Sequence, residues 1–170
     1  MGEAVHAGHG AIDTAPGYRN QRGVGKARAD AGRARDDVVG TTKLPRDNAD
    51  RGRETLEESL DQRGLDHLDL WLVHWPPNGE ARPDVWEQVV QAQADGLTRA
   101  AGVSNYSLAQ LAELTDATGA TPAVHPDRWR PAAHAPAGAP RRPQPRPVPA
   151  RYTPLPATPP PARSRQPGLA

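Results

Sequence analysis

Short apolar runs alternate along the chain with longer stretches whose apolar residues recur every three or four positions. Gly10-Ala11-Ile12-Asp13-Thr14-Ala15, bounded by Gly and Pro, reads as a brief strand. Asn20 to Ala34 carries Val24, Ala27 and Ala31 at helical spacing. Asp37 to Leu44 is rich in β-branched residues and stops at Pro45, as a strand does when the next residue lacks an N–H. Asp47 and Asn48 are candidate caps for a helix with Leu56 and Leu60 four apart, and Gly64 is its left-handed stop. Leu68 to Trp75 is almost continuously apolar and ends at Pro76-Pro77, the pattern of a strand covered on both faces.

The same alternation runs on through a helix over Pro83–Asp95, with Val85, Trp86, Val89 and Val90 on one side and Gly96 behind it. Ala100 to Asn105 reads as a strand. Ser107-Leu108-Ala109-Gln110 is a capping box opening a helix with Leu108, Leu111 and Leu114 inward, and Gly119 ends it. Thr121-Pro122-Ala123-Val124 starts one more extended piece. Strand and helix in strict alternation point to a parallel sheet with helical crossovers, open or closed. Spacing decides between the two. Polar residues at the C-terminal ends of the strands, Asp13, Lys43, His74 and Asn105, follow one another at 30, 31 and 31 residues. Eight such units make about 250 residues, the length of a (β/α)8 TIM barrel, whose active site collects at those ends. The expected fold is therefore α/β, a partial barrel of about four βα units.

Composition divides the chain. Residues 1–125 carry 13 Lys+Arg against 19 Asp+Glu, whereas residues 126–170 carry 8 Arg against Asp127 alone, and 14 of the 20 prolines lie there. Few large apolar side chains accompany them, so burial there cannot offset the entropy of ordering. The expected organisation is a partial barrel over 1–125 and a disordered Pro/Arg-rich tail over 126–170. Arg outnumbers Lys 19 to 2 beside abundant Ala, Gly and Pro, as in a GC-rich gene, and out-of-frame reading of such a gene yields the residues seen in the tail. The competing reading is a non-catalytic remnant or interaction protein acting through that basic tail in polyproline II form. Its arginines lack interleaved aromatics, so no nucleic-acid partner is expected. Absence of cysteine excludes disulfides and thiolate chemistry, and no apolar run approaches the roughly 20 residues of a membrane span. A cytoplasmic protein is expected.

The strand ends carry chemistry if the sheet curls. Tyr18 follows Asp13 by five residues and reaches the same pocket as Lys43. An ammonium beside a phenol favours the phenolate, and a carboxylate keeps that ammonium charged and oriented. Tyr18 is then a candidate proton donor to a carbonyl oxygen, with His74 hydrogen-bonding the same oxygen. Taken singly, Asp13 and Lys43 are ordinary solvated strand ends, His74 a core histidine, Tyr18 a loop aromatic, and Ser104-Asn105 a turn. Convergence on one pocket is what lifts them above that. His6, His9 and His67 have no metal-ligand spacing, and no metal is expected.

These residues resemble a known family. Ile12-Asp13-Thr14-Ala15 with Tyr18 and Asn20, Val39-Gly40-Thr41-Thr42-Lys43-Leu44, Asp69-Leu70-Trp71-Leu72-Val73-His74-Trp75-Pro76 and Gly102-Val103-Ser104-Asn105-Tyr106 look like successive motifs of the aldo/keto reductases, over about residues 10–124. The resemblance implies an NADPH-dependent reductase of small carbonyl substrates on a (β/α)8 barrel, with Asp13, Tyr18, Lys43 and His74 catalytic. It also implies that Ser104 and Asn105 hold the nicotinamide carboxamide, that Asp13 contacts the nicotinamide ribose, and that His74 and Trp75 line the substrate pocket. Against the family pattern, only nine residues precede the first strand, and His125-Pro126-Asp127 stands where a Val-Asn-Gln-acid run is usual. Four strands leave open barrel edges, through which self-association is expected.

Overall fold

The computed structural model describes residues 8–32, 34–123, 127–128 and 151–152. The four repeated units fold as β1 (Ala11–Asp13), α1 (Gln21–Asp30), β2 (Val39–Leu44), α2 (Gly52–Arg63), β3 (Leu68–Val73), α3 (Pro83–Ala94), β4 (Thr98–Val103) and α4 (Leu108–Thr118). The strands are parallel in the order β1-β2-β3-β4, with Asp13 opposite Thr41, Lys43 opposite Leu72, and Leu72 opposite Gly102. A separate parallel pair joins β5 (Asp127–Arg128) to β6 (Arg151–Tyr152). Val124, His125 and the rest of the proline-rich stretch, with His6, lie outside the described residues.

Side chains alternate across the sheet, and the alternation sets which residues meet. Leu44, Trp71, Val73, Ala101 and Val103 face the helices and share one core with Leu56, Leu60, Val85, Trp86, Val89, Leu111 and Leu114. A smaller cluster joins Ile12, Val24 and Val38. Asp13, Lys43, Leu72 and Gly102 take the opposite face, away from the helices. His74 and Ser104, two residues beyond Leu72 and Gly102, continue that face at its C-terminal rim.

Element ends differ from the sequence pattern in ways that have local causes. Asp47 and Asn48 do not cap α2: Arg46–Arg51 form a 3-10 segment, and the Gly52 amide donates instead to Gln88 Oε1 of α3 at 3.0 Å. Asn48 donates to Thr55 Oγ1. Gly64 does end α2, at φ 61°, where the Leu65 amide returns to Leu60 O and the Gly64 amide to Asp61 O in a Schellman turn. The capping box at Ser107 and Gln110 forms. Leu108 is 75 % exposed rather than inward, because each three-residue step lags a helical turn by about 60° and two such steps carry it off the stripe of Leu111 and Leu114. β3 stops at Val73 and β4 at Val103, but the His74 amide still donates to Leu44 O and the Ser104 amide to Val73 O. Ala123, at the start of the expected extended piece, donates its amide to Ala101 O on β4.

Helices α1 and α2 meet through small and polar residues. A Cβ added at Gly25 would lie 2.6–2.8 Å from the backbone of Arg63. Glycine in mid-helix is ordinarily worse than alanine by about 1 kcal/mol. Here the sign reverses: Gly25→Ala forces the helices apart and should destabilise by about 1–3 kcal/mol. Urea unfolding checks this, and a stabilised variant would show that the helices separate without cost.

At the N-terminal end of the sheet, Asp69 interrupts the apolar run of β3. It accepts from the Gly40 amide at 2.7 Å, Arg35 at 2.8 Å and Arg99 at 3.1 Å. Burial raises the carboxyl pKa, but the Gly40 amide and the Arg35 guanidinium outweigh it and hold the group below its ordinary 3.8. A depressed folded-state pKa adds stability that is complete above 3.8 and lost as the pH falls through the folded value. The melting temperature of Asp69→Asn should therefore trail that of the native chain at neutral pH, and the gap should close below about pH 4. A gap independent of pH would remove the ionised carboxylate from this role. Arg63, buried beside the same cluster, donates to Thr41 O at 3.2 Å, and burial together with Arg35 and Arg28 lowers its pKa to about 10.

Candidate active site

The four strand-end residues come together at the C-terminal rim. Lys43 is buried at 6 % exposure, and its ammonium is paired with the Asp13 carboxylate and donates to Thr14 O at 3.2 Å. Tyr18 lies in the 3-10 turn Pro16–Tyr18 after β1. Its ring, 53 % exposed, has the Lys43 ammonium 5.7 Å from the centroid and the His74 ring edge-on at 6.2 Å. The Trp75 ring is tilted 37° to that of His74 with centroids 6.3 Å apart, and is 36 % exposed. Burial, and then the Lys43 charge, push the His74 imidazole below its ordinary 6.5, with Asp13 opposing. A neutral imidazole at neutral pH carries one N–H donor.

Ser104 and Asn105 stand beside this group. Asn105 adopts φ 64° where the chain leaves β4, and its Nδ2 donates to His74 O at 2.8 Å and to Ser104 Oγ at 2.9 Å. That link ties the loop after β3 to the end of β4. All seven candidate residues thus share one rim.

The polar support beneath them is absent from the motif reading. Gln21, buried at 2 % exposure, accepts from Thr42 Oγ1 at 2.9 Å and donates to Ser59 Oγ at 3.1 Å, and Ser59 donates to Thr55 O. A signal for it exists in the sequence: Gln21 lies three residues before Val24, and Ser59 three residues after Leu56, so both fall on buried helix faces where a polar residue needs partners.

Comparison with known proteins bears on this rim. The aldo/keto reductase family model matches residues 1–137. The chain belongs to the aldo/keto reductase family. The match is wider than the span of about 10–124 that carries the motifs. The methylglyoxal reductase DkgA of Salmonella typhimurium is 43 % identical over 124 residues, covering 72 % of this chain and 45 % of its own length. An aldo-keto reductase of Mycobacterium tuberculosis is 41 % identical over 125 residues, 72 % of this chain and 44 % of that protein. Among solved structures, the aldo/keto reductase from Brucella melitensis superposes with a TM-score of 0.69 at 38 % identity, over 76 % of this chain and 52 % of that one. The Bombyx mori aldo-keto reductase in complex with NADP gives 0.68 at 31 % identity, over 76 % and 47 %. The chain thus spans about half the length of these relatives, and its parallel α/β fold is that of their barrels.

Proposed function

We propose that this chain carries the proton-donating end of an NADPH-dependent carbonyl reductase acting on small aldehydes or ketones. The observation that carries the reading is the Tyr18 ring with the Lys43 ammonium 5.7 Å from its centroid and the His74 ring edge-on at 6.2 Å, Lys43 being paired to Asp13. Tyr18 gives its hydroxyl proton to the carbonyl oxygen as that oxygen gains negative charge. Lys43, paired with Asp13, stabilises the phenolate left behind. His74, neutral, donates a hydrogen bond to the same oxygen and orients the carbonyl, and Trp75 forms the apolar wall.

The residues at the end of β4 suit a nicotinamide cofactor by their donor and acceptor types. A primary carboxamide needs both an acceptor and a donor, which the Asn105 amide and the buried Ser104 hydroxyl supply, and the Asp13 carboxylate is an acceptor for a ribose hydroxyl. When bound, NADPH supplies the hydride that reduces the carbonyl carbon. The relative named a methylglyoxal reductase supports an α-oxoaldehyde as the first substrate to try.

Titration of the full chain with NADPH, followed by quenching of tryptophan fluorescence, tests the reading. Saturable quenching is expected, and no change at about 1 mM NADPH, where binding is worth no more than about −4 kcal/mol, defeats it. Among the described residues no helix is long and apolar enough to cross a membrane. Among the described residues β1 pairs only with β2, while Ala123 already donates to Ala101 O on β4, and self-association through the β1 edge belongs to the same proposal. Sedimentation that shows a monomer at every concentration removes it.

A further inference from the structure

We propose that Thr14 and Asn20 are a positioning pair that holds Tyr18 against Lys43 and His74, an inference that rests on the reading of Tyr18 as the proton donor. Thr14 is fully buried and makes three separate contacts. Its amide donates to Thr41 O at 3.2 Å, which continues the pairing of β1 with β2 by one residue. Its carbonyl accepts from the Lys43 ammonium, and its Oγ1 donates to Asn20 Oδ1 at 2.5 Å. One residue therefore ties the lysine to the far end of the loop that carries the tyrosine.

The loop needs such a tie. Tyr18 is half-exposed, so packing alone does not fix its ring. Its amide donates to Ala15 O and the next amide, of Arg19, to Pro16 O, closing the 3-10 turn. Arg19 then takes φ 52°, the left-handed region that a long side chain rarely occupies without a constraint. Asn20 supplies that constraint. It stands at the N-cap position of α1, where an asparagine ordinarily accepts from the helix's own amides, yet it makes no cap bond and accepts from Thr14 instead. The following residue, Gln21, is anchored to Thr42 and Ser59, so the loop is fixed at both ends to the two strands that deliver Asp13 and Lys43. Released from Thr14, Asn20 is free to turn back and cap α1, and the left-handed Arg19 relaxes with it, which swings Tyr18 off Lys43.

The test reads the ring geometry directly. In the full chain labelled in its tyrosine and histidine rings, a nuclear Overhauser cross-peak between Tyr18 and His74 is expected from their 6.2 Å edge contact, to be assigned by its absence from Tyr18→Leu. Thr14→Val, which keeps the shape and removes the hydroxyl, should lose that cross-peak, and Thr14→Ser should keep it. Asn20→Ala cuts the same bond from an exposed side chain and decides the matter if Thr14→Val disturbs the amide spectrum of β2 to β4. A cross-peak undiminished in both Thr14→Val and Asn20→Ala overturns the proposal, as does its equal loss in Thr14→Ser. In carbonyl reduction, Thr14→Val should lower kcat while leaving the KM for NADPH unchanged. The cross-peak needs no turnover, so a chain that fails to reduce carbonyls defeats the reductase reading separately from the pair.

Discussion

Tyr18→Phe is expected to lower kcat for carbonyl reduction by about 10²–10⁴-fold, the contribution of a positioned general acid. The ring is kept, so its edge contact with His74 and its place over Lys43 remain. The hydroxyl goes, and the transferable proton with it. Because Tyr18 is 53 % exposed, the loss of its hydroxyl should change stability by no more than about 0.5 kcal/mol. The expected result is thus a dead or nearly dead enzyme with an unchanged melting temperature and unchanged NADPH quenching. The decay of NADPH absorbance with methylglyoxal measures the first, and turnover within tenfold of the native chain would take the proton-donor role from Tyr18. His74 is not a substitute: burial and the Lys43 charge keep its imidazole neutral, a hydrogen-bond donor rather than an acid of matched strength.

The helices, the parallel strands and the gathering of the candidate residues on one rim were legible because each rests on a periodic or punctuated signal. The run from Leu68 to Trp75 reads as a buried strand and forms one over Leu68–Val73, and the 30- and 31-residue spacings put Asp13, Lys43, His74 and Asn105 at or just beyond strand ends. What stayed hidden depends on partners distant in sequence. Asp47 and Asn48 looked like caps because a local rule was satisfied, but Gln88, 36 residues away, takes the Gly52 amide and makes a local cap unnecessary. Asp69 stands within an almost continuously apolar run, and only the arrival of Arg35 and Arg99 from other segments explains it. Gly25, within α1, has no local signal, and only the backbone of Arg63 against it explains it. Leu108 shows the reverse error, since a three-residue spacing was read as a stripe without following its drift around the helix.

The largest loss of stability is expected from Trp86→Ala. Trp86 is 1 % exposed at the centre of the core that α2, α3 and α4 build on the sheet, and its Nε1 donates to Ala120 O at 3.0 Å. Truncation to Ala removes the ring and leaves a cavity, which costs about 3–5 kcal/mol, and it also leaves the Ala120 carbonyl without its donor. Domains of this kind have only about 5–15 kcal/mol in total, so the melting temperature should fall by roughly 10–20 °C. Leu108→Ala is the control. That residue carries the same apolar label in the sequence but is 75 % exposed, and its truncation should cost no more than about 0.5 kcal/mol. Trp86 also reaches beyond the core, because Ala120 leads into Ala123, whose amide donates to Ala101 O and begins a further strand position beside β4. Hydrogen exchange at the Ala123 amide should therefore quicken in Trp86→Ala at temperatures where β2 and β3 are still protected. If Trp86→Ala unfolds no more readily than Leu108→Ala, the ring is not what binds these three helices to the sheet. If the Ala123 amide exchanges in step with β3, the segment after α4 is held by the sheet alone.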